Sequence, residues 1–161
     1  MIVISAEGDG NAPNRRVPPT TAGVDAYVKT SLLAVGEPGG VAPIFVEVGN
    51  LGQDFMIGAS VTVSLTGGLT FVGSNPAPDP SMSSVAGAPP PVAVTWSIPE
   101  LAFQGVGRIV LYVQVPEVEV GKRFVVGVSL NAPSDLLPEN NEISLRVMAA
   151  RQVLMPELMR Q

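Results

Sequence analysis

Val106-Gly107-Arg108-Ile109-Val110-Leu111-Tyr112-Val113-Gln114-Val115 is the pattern of a half-buried β-strand. Ile109, Leu111, Val113 and Val115 fall on one side of a period of two, and Arg108, Tyr112 and Gln114 on the other. Successive side chains of a strand point to opposite faces, so this spacing gathers the aliphatic set into one dry layer. Pro116 stops the run, because proline has no N–H to offer a ladder.

The same period recurs on both sides of this stretch. Downstream, Phe124, Val126, Val128 and Leu130 make a second strand, and Ile143, Leu145 and Val147 the last. Upstream, Val92, Val94, Trp96 and Ile98 share a face, which puts the sole tryptophan at the expected centre of the core. Leu69-Thr70-Phe71-Val72 follows the turn Thr66-Gly67-Gly68. Before it, Val61, Val63 and Leu65 alternate with Thr62 and Ser64. Val41 to Asn50 carries Ile44, Val46 and Val48 on one face, between the turns Gly36-Glu37-Pro38-Gly39-Gly40 and Asn50-Leu51-Gly52. The first strand sets Val24, Ala26, Val28 and Thr30 against Asp25, Tyr27, Lys29 and Ser31. About eight short strands separated by Gly- and Pro-bearing turns predict an all-β fold. The expected architecture is an antiparallel two-sheet immunoglobulin-like β-sandwich with an extended N-terminal arm and a short C-terminal tail.

Three segments fall outside that rhythm. Residues 1–23 form the expected arm, 24–149 the sandwich and 150–161 the tail. Within the sandwich, residues 73–91 hold Pro76, Pro78, Pro80, Pro89, Pro90 and Pro91, which predicts a long surface loop. The opening Met1-Ile2-Val3-Ile4-Ser5 has no basic n-region and no long apolar h-region, so no secretory signal is expected there.

Composition removes most chemistry. There is no histidine and no cysteine among the 161 residues, so Ser-His-Asp, Cys-His and thiolate-metal sites have no residues to build them. No cofactor is expected. Lys29 and Lys122 are the remaining amine bases, and solvated surface positions are expected for both. A net charge of −5 with only 14% charged residues offers nucleic acid no basic face. No apolar run approaches the roughly 18–20 residues of a membrane-spanning helix, so no membrane insertion is expected. The adjacent pair Arg15-Arg16 fits a solvated arm. Glu117 and Glu119 flank Pro116 at an expected hairpin, where charge keeps a sheet edge soluble. Asp135, Asn140, Asn141 and Glu142 make a weak calcium candidate whose spacing fits no EF-hand, and capping of turn backbone is the expected role. Gln104-Gly105-Val106-Gly107-Arg108 holds a Gly-x-Gly followed by a strand. It therefore lacks the helix N-terminus that would bind a pyrophosphate.

Four ordered pieces resemble the bacterial Ig-like surface-repeat modules of the CARDB, cell-adhesion-related kind. They are Val46-Glu47-Val48-Gly49-Asn50-Leu51-Gly52, Gly68-Leu69-Thr70-Phe71-Val72, Val94-Thr95-Trp96-Ser97-Ile98 with Leu101, and Asp135 with Pro138-Glu139-Asn140-Asn141-Glu142. The resemblance spans about Val24 to Ala149 and implies a non-catalytic β-sandwich in a surface assembly.

The expected function is therefore contact with other protein subunits, with a homo-oligomer as the default. The most specific expectation is a virion decoration protein or filament subunit. The alternative is an adhesion or spacer module of an exported surface protein, so the location is a virion or a cell-surface assembly. Interaction candidates are the apolar ends Ile2, Val3 and Ile4, then Leu154, Met155, Leu158 and Met159, together with Arg15 and Arg16. A carbohydrate-binding module ranks third, because most aromatics are expected at inward positions. Deleting residues 1–23 is expected to weaken assembly while leaving the melting transition in place. Arginine in excess of lysine and many loop prolines hint at a heat-tolerant source.

Overall fold

The computed structural model describes residues 22–80 and 93–151. Nine strands are found among them: β1 (Ala26–Thr30), β2 (Leu33–Gly36), β3 (Val41–Asn50), β4 (Ser60–Leu65), β5 (Thr70–Asn75), β6 (Ala93–Ser97), β7 (Val106–Gln114), β8 (Arg123–Asn131) and β9 (Glu142–Ala149). One 3-10 turn, Pro138–Asn140, precedes β9. The strands form two sheets, β1-β3-β7-β5 and β2-β9-β8-β4-β6, packed as the expected immunoglobulin-like sandwich.

The alternation sorts the side chains as the sequence predicts. Ile44, Val46 and Val48 from β3, and Ile109, Leu111 and Val113 from β7, are buried in the middle layer. They meet Val61 and Val63 of β4, Trp96 of β6, Val126 and Val128 of β8, and Leu145 and Val147 of β9 in one core. Trp96 is 1% exposed, and its Nε1–H donates to Ser74 Oγ and Pro76 O at 3.1 Å each.

Asn50 closes the top of β3 and has no exposed surface. Its Oδ1 accepts from the N–H groups of Gly52 at 3.0 Å and Asp25 at 3.3 Å. Its Nδ2 donates to the carbonyls of Asp54 at 2.7 Å and Leu101 at 3.0 Å. Gly52 is required beside it, since a Cβ there would lie 2.2 Å from Gly23 O. Gly23 is thus already packed on the sandwich, and its carbonyl accepts from Asp54 N–H.

Three expectations need correction. Residues 33–36 form a strand the sequence did not signal, and it pairs with β9 in parallel. The sandwich is therefore not wholly antiparallel. The chain leaves the first sheet after Thr30 and enters the second at Leu33, so one short run serves both edges. Glu117 and Glu119 do not flank a hairpin: β7 belongs to the first sheet and β8 to the second, so they sit on a crossover between sheets.

Candidate functional site

The two outer faces of the sandwich differ in chemistry. On the five-stranded sheet, cross-strand neighbours read Ser64, Gly127 and Ser144 in one row and Thr95, Thr62, Ser129 and Glu142 in the next. Those rows are the small polar surface expected of a sheet facing water, and toward β2 the face turns mixed, with exposed Leu33, Val35 and Val125 beside Arg123 and Arg146. On the four-stranded sheet the central strands break the rule. The outward positions of β3 are Val41, Pro43, Phe45 and Glu47, opposite Gln114, Tyr112, Val110 and Arg108 of β7. Phe45 is 56% exposed, Val41 49% and Tyr112 42%.

Pro43 is tolerated within β3 for a reason visible in the register. Asn50 N–H bonds Gly105 O and Val115 N–H bonds Gly40 O, so the even residues of β3 bond toward β7. The odd residues, Pro43 among them, turn their backbone toward β1. But β1 pairs only with Val46–Asn50, so nothing in the sheet asks Pro43 for an N–H. Thr30 at the end of β1 closes the gap by donating from Oγ1 to Phe45 O at 2.8 Å.

Where β1 departs, an open groove of about 310 Å³ is lined by Lys29, Thr30, Phe45, Glu47, Arg108 and Val110 among others. Its polar end is one cross-strand row, Lys29, Glu47 and Arg108. Arg108 Nε–H donates to Glu47 Oε2 at 3.3 Å, and Tyr27 O–H donates to Glu47 Oε1 at 3.3 Å. The Lys29 ammonium stands 4.7 Å from the centre of the Tyr27 ring. Burial raises the Tyr27 phenol above its ordinary value, and the neighbouring Glu47 carboxylate adds to the rise. Beyond the opposite end of the face stand acidic residues. Glu37 borders Val41 and Pro43 in one concavity and lines a second with Glu117, Glu119 and Arg151.

No protein-family model and no curated protein matches the sequence. Solved structures do match the fold. A CARDB domain from Pyrococcus furiosus, determined in solution, superimposes at a TM-score of 0.55, covering 81% of this chain and 98% of its own at 15% identity. The crystal form of that domain, in complex with di-metal ions, gives 0.50 over 88% and 100% of the two chains at 13% identity. The chain carries a CARDB-like fold. CaCohA2 from Clostridium acetobutylicum shares the architecture at 0.53, covering 81% and 94% at 10% identity.

Within this CARDB-like sandwich the oxygen-rich turn is largely occupied in bracing the chain. Asp135 Oδ1 accepts from Ala26 N–H at 3.2 Å and Leu137 N–H at 3.1 Å, while Oδ2 accepts from Asn141 Nδ2. Glu142 is exposed and turns away on the outer face. Asn140 and Asn141 are buried, each with an Oδ1 that meets no protein donor. Among the described residues no group of three or more His, Cys, Asp or Glu side chains is placed to hold a metal ion.

Ile2, Val3, Ile4, Arg15, Arg16, Leu154, Met155, Leu158 and Met159 lie outside the described residues, as do Val92 and most of the proline-rich loop. The aromatic expectation is corrected. Trp96, Tyr27 and Phe124 are buried, but Phe45, Phe55, Phe103 and Tyr112 are exposed. Phe45 and Tyr112 occupy outward strand positions, and Phe55 and Phe103 sit on loops beside the Met56–Leu101 bridge. Sequence reasoning missed the apolar outer face. Its signal was Val41, Pro43 and Phe45 filling three successive outward positions where polar residues belong.

Proposed function

We propose that this chain is a non-catalytic structural module that holds protein surfaces together in a larger assembly, docking through the outer face of its four-stranded sheet. The observation that carries this reading is the apolar row of Val41, Pro43, Phe45, Val110 and Tyr112 across the two central strands. A sheet face meant only for water alternates to polar residues, as the β4–β8 part of the five-stranded sheet does. A contiguous exposed apolar patch rimmed by charge is the usual signature of a protein contact. The absence of histidine and cysteine from the sequence supports a role without turnover.

Within this reading the chain is a subunit of an extracellular or virion assembly, with a decoration protein or filament subunit as its most specific form. The CARDB-like fold supports the alternative of an adhesion or spacer module on an exported protein. Phe45 and Tyr112 on one face favour a further reading, a carbohydrate platform, since exposed rings stack on sugars as well as on proteins.

A photo-crosslinking residue placed at Phe45, in the cells that make the protein, tests the proposal. Adducts to protein at Phe45, with none from the same group at Ser129 on the opposite face, are expected. Equal adducts from both faces would overturn it. Retention on an immobilised glycan that Phe45→Ser abolishes, without protein adducts, would move the reading to carbohydrate.

A further inference from the structure

We infer that in the free chain the apolar face is covered by the chain's own residues 153–159, which turn back past Ala150 and lie along the vacated edge of β3. The inference rests on the docking reading above and adds its regulation: a partner has to displace this segment.

Strand β3 has a vacancy on its β1 side. β1 pairs with β3 from Val46 to Asn50 and ends at Thr30, so among the described residues no strand of this sheet stands beside Val41, Pro43 and Phe45. These three turn their backbone groups to that side, as the bond from Thr30 Oγ1 to Phe45 O shows. Their side chains are all exposed on the outer face. An unpaired stretch of edge takes up an extended segment through the main chain, and the adjoining side chains select which segment fits.

The tail starts at this vacancy. β9 runs parallel to β2 and reaches Ala149 beside Gly36, which itself packs on Ala42 at the start of β3. Ala150 N–H donates to Gly36 O at 2.9 Å, and Ala150 lines one concavity with Val35, Val41 and Pro43. The other long segment, residues 1–21, joins at the far end of β3, where Gly23 O accepts from Asp54 N–H. Asn50 and Val41 are nine residues apart, about 30 Å along the strand. A tether as short as residues 151–152 gives an effective concentration of order millimolar. A contact too weak to hold two molecules together is therefore populated within one.

Composition and reach agree with this seat. Residues 152–161 hold Val153, Leu154, Met155, Leu158 and Met159, an apolar set that calls for cover. Glu157 is their one carboxylate. From Pro43 to the Glu47 row is four residues, about 13 Å along β3. From Ala150 to Glu157 the chain reaches at most about 25 Å, which leaves about 10 Å for the turn that reverses its direction. Glu157 then arrives at the row where Lys29 and Arg108 outnumber Glu47, and where the Arg108 side chain is 78% exposed. Pro156 suits such a segment, because an edge strand can turn its missing N–H toward solvent.

The chain has no cysteine, so one introduced thiol carries a nitroxide at a single place. Attached at Arg160→Cys in the full isotope-labelled chain, it reports where the tail lies. A tethered contact with a dissociation constant below the millimolar effective concentration is more than half occupied, so the Phe45, Glu47 and Val110 amides should lose at least about half their intensity. Gly121, whose N–H bonds Ala149 O beside the exit of the tail, should lose less, and Ser64 on the opposite face least. Leu154→Ser with Glu157→Lys should at least halve the Phe45 loss at unchanged melting temperature, since it sets like charge beside Lys29 and Arg108. Deleting residues 152–161 should raise the yield of Phe45 adducts with partner protein by about twofold or more, because the open face was at most about half populated. Four results would overturn the inference: a loss at Gly121 equal to that at Phe45, a loss passed only between separate molecules, a stronger effect from a nitroxide at Ile4→Cys, or adducts indifferent to the deletion. If Phe45 is untouched by the tail label yet still crosslinks to protein, the covering falls and the docking reading stands. If the loss is found but Phe45 forms no protein adduct with or without residues 152–161, the segment keeps the face and the docking reading falls.

Discussion

The ring of Tyr27 lies across Gly49, its cross-strand neighbour: a Cβ on Gly49 would come 2.3 Å from Cε1 and Cζ and 2.4 Å from the hydroxyl. An aromatic side chain covering a glycine on the next strand shields backbone that would otherwise be bare. Here it also delivers the phenol to Glu47 on the same strand as the glycine. Gly49→Ala forces the ring off this seat. Overpacking of this kind costs about 1–3 kcal/mol, so the urea midpoint should fall with little change in slope. An unchanged midpoint would mean that the ring moves aside freely.

Tyr27 also gives the fold a high-pH limit. Its folded-state pKa is raised, first by burial and then by Glu47, so the folded chain holds the phenolic proton more tightly than the unfolded one. That stabilisation is fully present below the unfolded value of about 10 and is lost as pH rises through the folded value. Stability measured from pH 9 upward should therefore drop more steeply in the native chain than in Tyr27→Phe. Parallel curves for the two would remove Tyr27 as the cause.

Asp135 ties three distant parts of the chain together: the start of β1 at Ala26, its own turn at Leu137, and Asn141 before β9. Asp135→Ala orphans two backbone N–H groups and one amide in a part-buried site. Each costs about 1 kcal/mol or more, so a loss of about 2–4 kcal/mol is expected by chemical denaturation. Asp135→Asn keeps one acceptor oxygen and should lose less. Because these oxygens are engaged with the chain itself, millimolar calcium and excess chelator should leave the native melting temperature alike. A rise with calcium that Asp135→Asn abolishes would make the turn a metal site.

Legibility from sequence followed burial on both faces. Strands β4, β8 and β9 put aliphatic groups inward and polar groups outward for most of their length, and their alternation could be read directly. Strand β2 could not. Leu33 and Val35 are exposed apolar residues around a buried Ala34, so no contrast marks the strand. Its partner β9 lies more than a hundred residues away and leaves no local signal. The docking face was half legible. Val41, Pro43 and Phe45 could be placed outward, but their significance depends on β3 and β7 being central and on β1 leaving the sheet at Thr30. Those are facts of sheet order, which periodicity does not encode.

Among the described residues, Asp79 caps the outer edge of β6. Asp79 N–H donates to Thr95 O at 2.9 Å, its Oδ1 accepts from Ser97 N–H at 3.0 Å, and its Oδ2 accepts from Ser97 Oγ at 2.9 Å. An aspartate that mimics a neighbouring strand prevents another chain from adding there. Asp79→Ala should cost about 1 kcal/mol and, more tellingly, raise the rate of aggregation near the melting temperature. Light scattering that matches the native chain would show the edge protected by something else.

Trp96 links that edge to the core. Its indole packs edge-on to Phe71, with ring centres 6.2 Å apart, and its Nε1–H holds Ser74 and Pro76 just before the Asp79 cap. Trp96→Phe keeps much of the apolar volume but removes the donor and leaves a void, for an expected loss of about 2–3 kcal/mol; Trp96→Ala should lose about 3–5 kcal/mol. The two causes separate by location. A pure void would weaken the whole sandwich evenly, because it opens the shared core. Loss of the Nε1–H should also free residues 74–79, so in Trp96→Phe the Asp79 amide should gain more in hydrogen exchange than the central Val63 amide does. Equal gains at the two amides would assign the tryptophan's role to packing alone.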